Sequence, residues 1–540
     1  MGGRGRRALR NPRGGDLINS VADSSLPRGE LVAVLDMGAS AVRLVVAEIA
    51  PGKPIRVIEE ASRGVLLGRD TFSGGVIRPP TADATFAALE GFHRILDAYG
   101  VHHVRAVATS AVREARNSEL FLDRIRGRTG IGFEIINEAE ESRLVYLAVR
   151  DSLSGHAAFK GDWTLLAEVG GGSTSLTLLR RGRPNRSGVY ALGAVRLRQR
   201  LDLRRHGHDL QLALLKRTIA NVIAEIELEI PLPRVTHMVA MGGDVRLAAS
   251  QILETDGGNG AREIARDTFL KFCDDVERLD DDSLVGRFGL PAVEAETLVP
   301  ALLVYRALLS STAANQLVVS DASLRDGLLR DLMAPVGRQA TADFDGQVLA
   351  SAEALGHRFR FDRAHGLQVA RLATRLFDEL RAEHGLSDRE RLLLQTASLL
   401  HDVGIYVSLR GHHKHSQYLL AASQIFGLSA EETAIVSNIA RYHRGATPQQ
   451  THLPYVALDR NDRVIVTKLA AILRVANALD AEHLEKVRDL HLAPAAKAWV
   501  LEVDATGDIT MEQLAATARA DLFVEVFGRQ LVIKISGAAG

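Results

Sequence analysis

The chain has 540 residues, 46% of them hydrophobic and 24% charged, and its 66 Lys and Arg balance 66 Asp and Glu to a net charge of zero. At about 150 residues per domain, that length holds three or four domains with ample core material, and a zero net charge excludes a global field for nucleic acid. One cysteine, Cys273, excludes an internal disulfide and fits a reducing compartment; no apolar stretch is long enough to span a membrane and no hydrophobic signal core follows the N-terminal arginines, so a cytoplasmic protein without membrane or nucleic-acid partners is expected.

Residues 1–29, rich in Arg and Gly, read as a disordered tail. Leu31 to Asp36 is an apolar run ending in a carboxylate; Met37-Gly38-Ala39-Ser40 is a glycine turn with a hydroxyl; Val42 to Val46 is a second apolar run. That is a β-hairpin whose turn can hold phosphate, because glycine lets backbone N–H groups approach an anion. Asp36 at the strand end can hold Mg²⁺ against the same oxygens. Val57 to Leu67 follows as strand and Thr81 to Tyr99 as a helix, with Phe86, Leu89, Phe92 and Leu96 on one side. Val104 to Thr109 is a buried strand opening into a helix start, where Arg113 can fork two phosphate oxygens. Phe133 to Ile136 is another strand. A helix begins near Ala139 with Glu138, Glu140 and Glu141 crowding its first turn. Acids there complement the helix dipole, and Glu138 is assigned only that role.

The hairpin pattern returns at Leu165 to Glu168, the turn Gly170-Gly171-Gly172-Ser173-Thr174, and the run Leu176 to Leu179. Repetition implies two related α/β lobes whose opposed turns clamp one phosphate chain in a cleft. Two further glycine turns suit phosphate: Gly193 to Leu197, and Met241-Gly242-Gly243-Asp244 after the strand Thr236 to Ala240. Beyond about residue 338 the pattern becomes helical and rich in histidine from Ala352 to Ala440, with an apolar helix, Leu392 to Leu400, ending in His401-Asp402. The last stretch returns to α/β, with strands over Ala498 to Val503 and Phe523 to Ile535 around a helix from Ile509 to Ala520.

Taken in order and spacing, Asp36-Met37-Gly38, Thr109 to Ala115, Glu140-Glu141-Ser142-Arg143-Leu144, Gly170 to Thr174, Gly193 to Leu197 and Ser320-Asp321 through Leu329 resemble the exopolyphosphatase/guanosine pentaphosphate phosphohydrolase (Ppx/GppA) family. The resemblance implies an α/β fold of two ribonuclease-H-like lobes of the actin/Hsp70/sugar-kinase type around a cleft. An all-α HD-like domain and a small C-terminal α/β domain follow. Spans of 30–144, 145–335, 336–484 and 485–540 are expected for these four units. It further implies hydrolytic release of a terminal phosphate from polyphosphate or from guanosine pentaphosphate, by a homodimer using Mg²⁺. Glu141 falls at the family's general base. Asp36 and Glu168 would hold the metal. Gly38, Ala39, Ser40, Arg113, Gly171, Gly172, Ser173, Thr174, Gly242 and Gly243 would hold the substrate. Inorganic polyphosphate is the leading substrate, guanosine pentaphosphate the rival, and a catalytically weakened sensor of either the alternative. The chain departs from the family pattern in Ala39 and Ala41 of the first loop, in Glu168 for Asp and in Ser175 for Glu, which predicts weaker metal holding. In the helical region His365, His401 and Asp402 match the HD metal pattern, His415 and His443 fall at further ligand positions, and Asn477 stands where that pattern has Asp, with Asp480 one turn on.

Overall fold

The computed structural model describes residues 29–50, 53–153, 155–201, 207–253, 261–333 and 338–535, with backbone alone for 338–343. The expected N-terminal tail lies outside the described residues. The first lobe holds a five-stranded sheet, β1 (Glu30–Met37), β2 (Ala41–Ile49), β3 (Arg56–Gly64), β4 (His103–Ala108) and β5 (Phe133–Ile135), in the order β3-β2-β1-β4-β5. The second holds β6 (Thr164–Val169), β7 (Thr174–Arg180), β8 (Arg183–Tyr190), β9 (His237–Met241), β10 (Ala261–Ala265) and β11 (Gln316–Ser320), in the order β10-β11-β9-β6-β7-β8. In each, an antiparallel three-strand meander continues into two parallel strands, so β8-β7-β6-β9-β11 repeats β3-β2-β1-β4-β5. The repeat read from two hairpins is thus a repeat of whole sheets. β10 is an addition at one edge.

Period-2 burial explains why both faces of each sheet are covered. Ala33, Leu35, Leu44 and Val46 point to one face of the first sheet, where Phe86, Leu89 and Phe92 of the Pro79–Tyr99 helix seal it. Val32, Val34 and Val45 point to the other, toward Leu166, Val239 and Val318 of the second sheet. Between the sheets run the helices Glu138–Leu153 and Leu324–Met333. They cross closely, because a methyl group on Gly327 would lie 2.1 Å from the Leu144 carbonyl oxygen. The Glu138–Leu153 helix therefore runs through the border expected at 144/145, and the Leu324–Met333 helix packs back against the first lobe.

The helical unit, from the Arg338–Arg358 helix to the Arg460–Ala478 helix, has a large core of its own. Strands β12 (Val487–Pro494), β13 (Ala498–Ala505) and β14 (Gln530–Ile535) form a three-stranded sheet, but Leu490, Leu501, Val503 and Leu531 join the helical core instead of a separate one. A segment of that size buries too little surface to stand alone. Residues 523–527, expected as the start of a strand, belong instead to the helix Asp521–Phe527, ended by Gly528 at φ +69°. Short apolar runs fit both periods, and Leu522, Phe523, Val526 and Phe527 share one helical face. Among the described residues no helix is long and apolar enough to cross a membrane.

Candidate functional site

The two turns meet. Each closes in the same way: the Gly38 N–H donates to Ala41 O at 3.0 Å, and the Gly170 N–H to Ser173 O at 2.9 Å. Asp36 and Glu168 precede them at equivalent strand positions, opposite Arg43 and Ser175 in their antiparallel registers. A methyl on Gly171 would lie 3.0 Å from Ala39 Cβ and 3.5 Å from Ser40 N, so the turns face each other at contact distance. Between them opens a cleft of about 630 Å³, lined by Asp36, Gly38, Ala39, Ser40, Glu141, Glu168, Gly171, Gly172, Ser173, Gly242 and Gly243 among others. Gly242 sits at φ +125°, ψ 159°, a backbone region open to glycine, and starts the Gly243–Ile252 helix at the cleft wall.

Glu141 is aimed by the start of its helix. Asn137 caps that helix, its side-chain oxygen accepting from the Glu140 N–H at 2.9 Å. Glu140 is held by Arg143, which also reaches Asp331 at 2.9 Å, while Arg105 on β4 pairs with the same Asp331. The network ties the helix to both neighbours and leaves Glu141 facing inward. Its Oε2 is buried without a hydrogen-bond donor, 3.6 Å from Arg113 Nη1. Burial pushes its carboxyl up to about 7, Arg113 pulling it down and Glu168 and Glu138 pushing it further up.

Two expected substrate contacts lie elsewhere. Arg113 stands behind Glu141, outside the cleft lining: it donates to Ile136 O at 2.7 Å and faces Glu138 and Glu141 at 3.6 Å. Thr174 is fully buried, its hydroxyl donating to Leu192 O at 2.9 Å, because position 174 begins β7 and points into the sheet. The Gly193 segment is likewise a support. The Ala194 and Arg196 N–H groups donate to Gly170 O and Gly171 O at 3.0 Å, and the Arg196 guanidinium is occupied by Gly172 O and Glu114.

Five charged residues of the cleft were given no role from the sequence: Arg43, Arg246, Arg325, Asp244 and Glu294, although Asp244 and Arg325 stand in segments the sequence pointed to. Asp36 is shared by Arg43 at 3.4 Å and Arg325 at 2.5 Å. The signal for Arg43 was available, since the antiparallel register of the first hairpin places it opposite Asp36. Burial raises Glu168, with Arg246 opposing and Asp36 adding to the rise, and burial with Glu294 pushes Asp244 up to about 6.

A sequence profile of the Ppx/GppA phosphatase family matches residues 45–335, and one of the same family's domain III matches 349–517. The chain belongs to the Ppx/GppA phosphatase family. Its curated relatives include the guanosine-5'-triphosphate,3'-diphosphate pyrophosphatases of Vibrio cholerae (23% identical over 436 residues, 78% of this chain and 82% of the relative) and Vibrio vulnificus (24% over 460 residues, 82% and 86%). The solved exopolyphosphatase of Cytophaga hutchinsonii is 22% identical, covers 57% of this chain and 99% of its own, and superposes with a TM-score of 0.52, an agreement of fold. As a Ppx/GppA phosphatase the chain is a phosphoric-anhydride hydrolase. Its lobes have the actin-like fold of that family.

Members of this family generally depend on a divalent metal, and the residues present fit one. Five carboxylates, Asp36, Glu141, Glu168, Asp244 and Glu294, line the cleft against three arginines. A cation would relieve the buried Glu168 and the donorless Glu141 Oε2. With Asp36 already shared by two guanidiniums, Glu168 offers the freer ligand.

One buried hydroxyl ties the strand ends that carry the site. Tyr305 Oη accepts from the Val169 N–H at 2.9 Å and donates to Met241 O. Tyr305→Phe strands both backbone groups and is expected to lower stability by about 2 kcal/mol, read by denaturant unfolding.

Proposed function

We propose that the cleft removes the terminal phosphate of inorganic polyphosphate by in-line attack of water, with Glu141 as general base and Mg²⁺ as the cation. The water oxygen bonds the terminal phosphorus, its proton passes to Glu141, and the bridging P–O bond breaks with its electron pair left on the shortened chain. A carboxyl lifted to about 7 is matched to accepting that proton near neutrality. Backbone N–H groups of the turns at Gly38 to Ser40 and Gly171 to Ser173, with the start of the Gly243–Ile252 helix, would take the phosphate oxygens. Mg²⁺, bound by Glu168 with Asp36, would neutralise charge on those oxygens. The observation that carries this reading is the position of Glu141 in a cleft formed by the two opposed turns. The reading also takes the chain as a cytoplasmic homodimer, as the family resemblance implies.

Among the described lining residues no aromatic ring offers a nucleobase a stacking face, which favours polyphosphate. The names of the Vibrio relatives favour guanosine pentaphosphate as the second reading. Phosphate release from each substrate, alone and in competition, with Mg²⁺ and with a chelator, separates them. Faster release from polyphosphate, abolished by the chelator, is expected. Preference for the nucleotide moves the assignment to the second reading, and release from neither removes both.

A further inference from the structure

His365, His401 and His412 gather around Asp402 in the helical unit, at 4.0, 3.6 and 3.1 Å, and a different edge of that unit reaches the lobes. It meets the helix Glu138–Leu153, which has two working faces. Glu141 looks into the cleft. Arg143 stands two residues on, about 200° round the axis at 3.6 residues per turn, and Tyr146 lies one turn beyond Arg143 on the same side. Both meet aromatic rings of the helical unit. Tyr146 packs edge-on against Phe426, with 5.7 Å between ring centroids. Phe426 is 1% exposed and belongs to the core between the two sheets, although it comes from the segment joining the His412–Ala421 and Ala430–Arg441 helices. Its backbone is held from the other side, the Phe426 N–H donating to Ser351 Oγ at 3.1 Å.

The second ring is Phe344, early in the Arg338–Arg358 helix, and it packs against both the helical core and the core between the sheets. The guanidinium carbons of Arg143 and Arg389 lie over it, 5.2 and 5.5 Å from its centroid. Beside it is Gly427, next to Phe426, where an added methyl would lie 2.7 Å from Phe344 Cζ. Each guanidinium ends in a fork on a glutamate. Arg143 donates to Glu140 at 2.7 and 2.6 Å, and Arg389 to Glu432 through two bonds of 2.6 Å. Glu432 also caps its own helix, accepting from the Ser429 N–H at 2.8 Å. A continuous chain of contacts thus runs from the residue before Glu141, through Arg143, Phe344 and Arg389, to the start of a helix in the other unit. The ring dries one side of the Arg143–Glu140 fork, and a charged pair shielded from water is the more strongly held. Without the ring, the cavity of about 480 Å³ that opens beside it, lined by Asn137, Glu140, Arg143 and Arg389 among others, would carry water onto that fork.

We infer that Phe344 is a positioning residue for hydrolysis: through Arg143 and Glu140 it fixes the helix turn that aims Glu141, so the helical unit bears on that aim from outside the cleft. The inference rests on the reading of Glu141 as general base. Phe344 is not among the cleft-lining residues, so it acts on the base and not on substrate binding. The turn is held twice. Asn137 accepts from the Glu140 N–H at 2.9 Å, and Arg143 grips the Glu140 carboxylate. The first hold is local to the helix start. The second stands under Phe344, the one side chain of the helical unit whose ring covers the Arg143 guanidinium among the described residues.

The test is steady-state phosphate release by the full chain carrying Phe344→Leu, which keeps apolar bulk and removes the ring face, in the wild-type and Glu141→Gln backgrounds. In the wild-type background kcat should fall about tenfold, the loss of a cation–π contact of ordinary strength, with KM unchanged. The acid-side midpoint of the rate should also move below 7, as water reaches a carboxyl whose charged neighbours, Arg113, Glu138 and Glu168, stay in place. In the Glu141→Gln background Phe344→Leu should cost nothing further, since an absent base cannot be misaimed. Melting curves check that each variant is folded. Equal losses in both backgrounds, or a Phe344→Leu protein with the kcat and midpoint of wild type, overturn the inference. Glu141→Gln releasing phosphate as fast as wild type removes the base itself, and that failure shows before Phe344 is altered.

Discussion

Replacing Glu141 by Gln lowers phosphate release by about 10²–10⁴-fold, the contribution of a positioned general base, and at the same time stabilises the fold at alkaline pH. Both effects come from one carboxyl pushed up to about 7, chiefly by burial, from an ordinary 4.5. An acid whose folded value lies above its unfolded value binds its proton more tightly in the folded state. Between 4.5 and about 7 the wild type therefore loses stability as pH rises, and the loss is complete above that window. The shift corresponds to at most about 3 kcal/mol. Glutamine carries no charge, so Glu141→Gln should melt above wild type at pH 8 and level with it near pH 4. The wild-type rate should fall on the acid side with a midpoint near 7, where the base takes up its proton. Phosphate release undiminished in the variant, or identical melting curves at both pH values, removes Glu141 from this role.

The duplicated architecture was legible because its signal is local. Hydrophobic period and glycine turns fall within ten residues of each other, and Asp36 with Gly38, like Glu168 with Gly170, marks a strand end whatever the surroundings. What lay beyond the sequence depends on pairings distant in the chain. Arg325 meets Asp36 across 289 positions, and Asp331 meets Arg143 across 188. Arg113 and Thr174 sit in the right segments, but side-chain direction decides their use. The first donates to Ile136 O behind Glu141, and the second alternates into the sheet. In the helical unit the sequence displayed too many histidines to choose among. Only the fold separates His412, which meets Asp402 at 3.1 Å, from His415 three residues on. The fate of the C-terminal strands was hidden for a similar reason, since their inward residues are covered by helices far earlier in the chain.

Gly193→Ala is expected to disable the cleft without touching a substrate atom. Its φ of −79° suits any residue, so the effect is purely of space. The added methyl would lie 2.1 Å from Gly172 C and 2.4 Å from both Gly171 O and Ser173 N, all backbone atoms of the second turn. No side chain can rotate away, so the turn must shift. The shift acts on the N–H groups facing Ala39 and Ser40, which lie at contact distance from Gly171. Displacement of a reacting group by about 1 Å costs on the order of 10²-fold in rate, and overpacking costs about 1–3 kcal/mol. Gly286→Ala is the matched control: its methyl meets nothing within 4 Å inside the Asp281–Phe288 helix, where alanine adds up to about 1 kcal/mol of stability. Steady-state phosphate release and melting of the two variants give the comparison. A fully active Gly193→Ala protein would mean that the second turn can move without consequence, and would remove the opposed-turn clamp as the basis of catalysis.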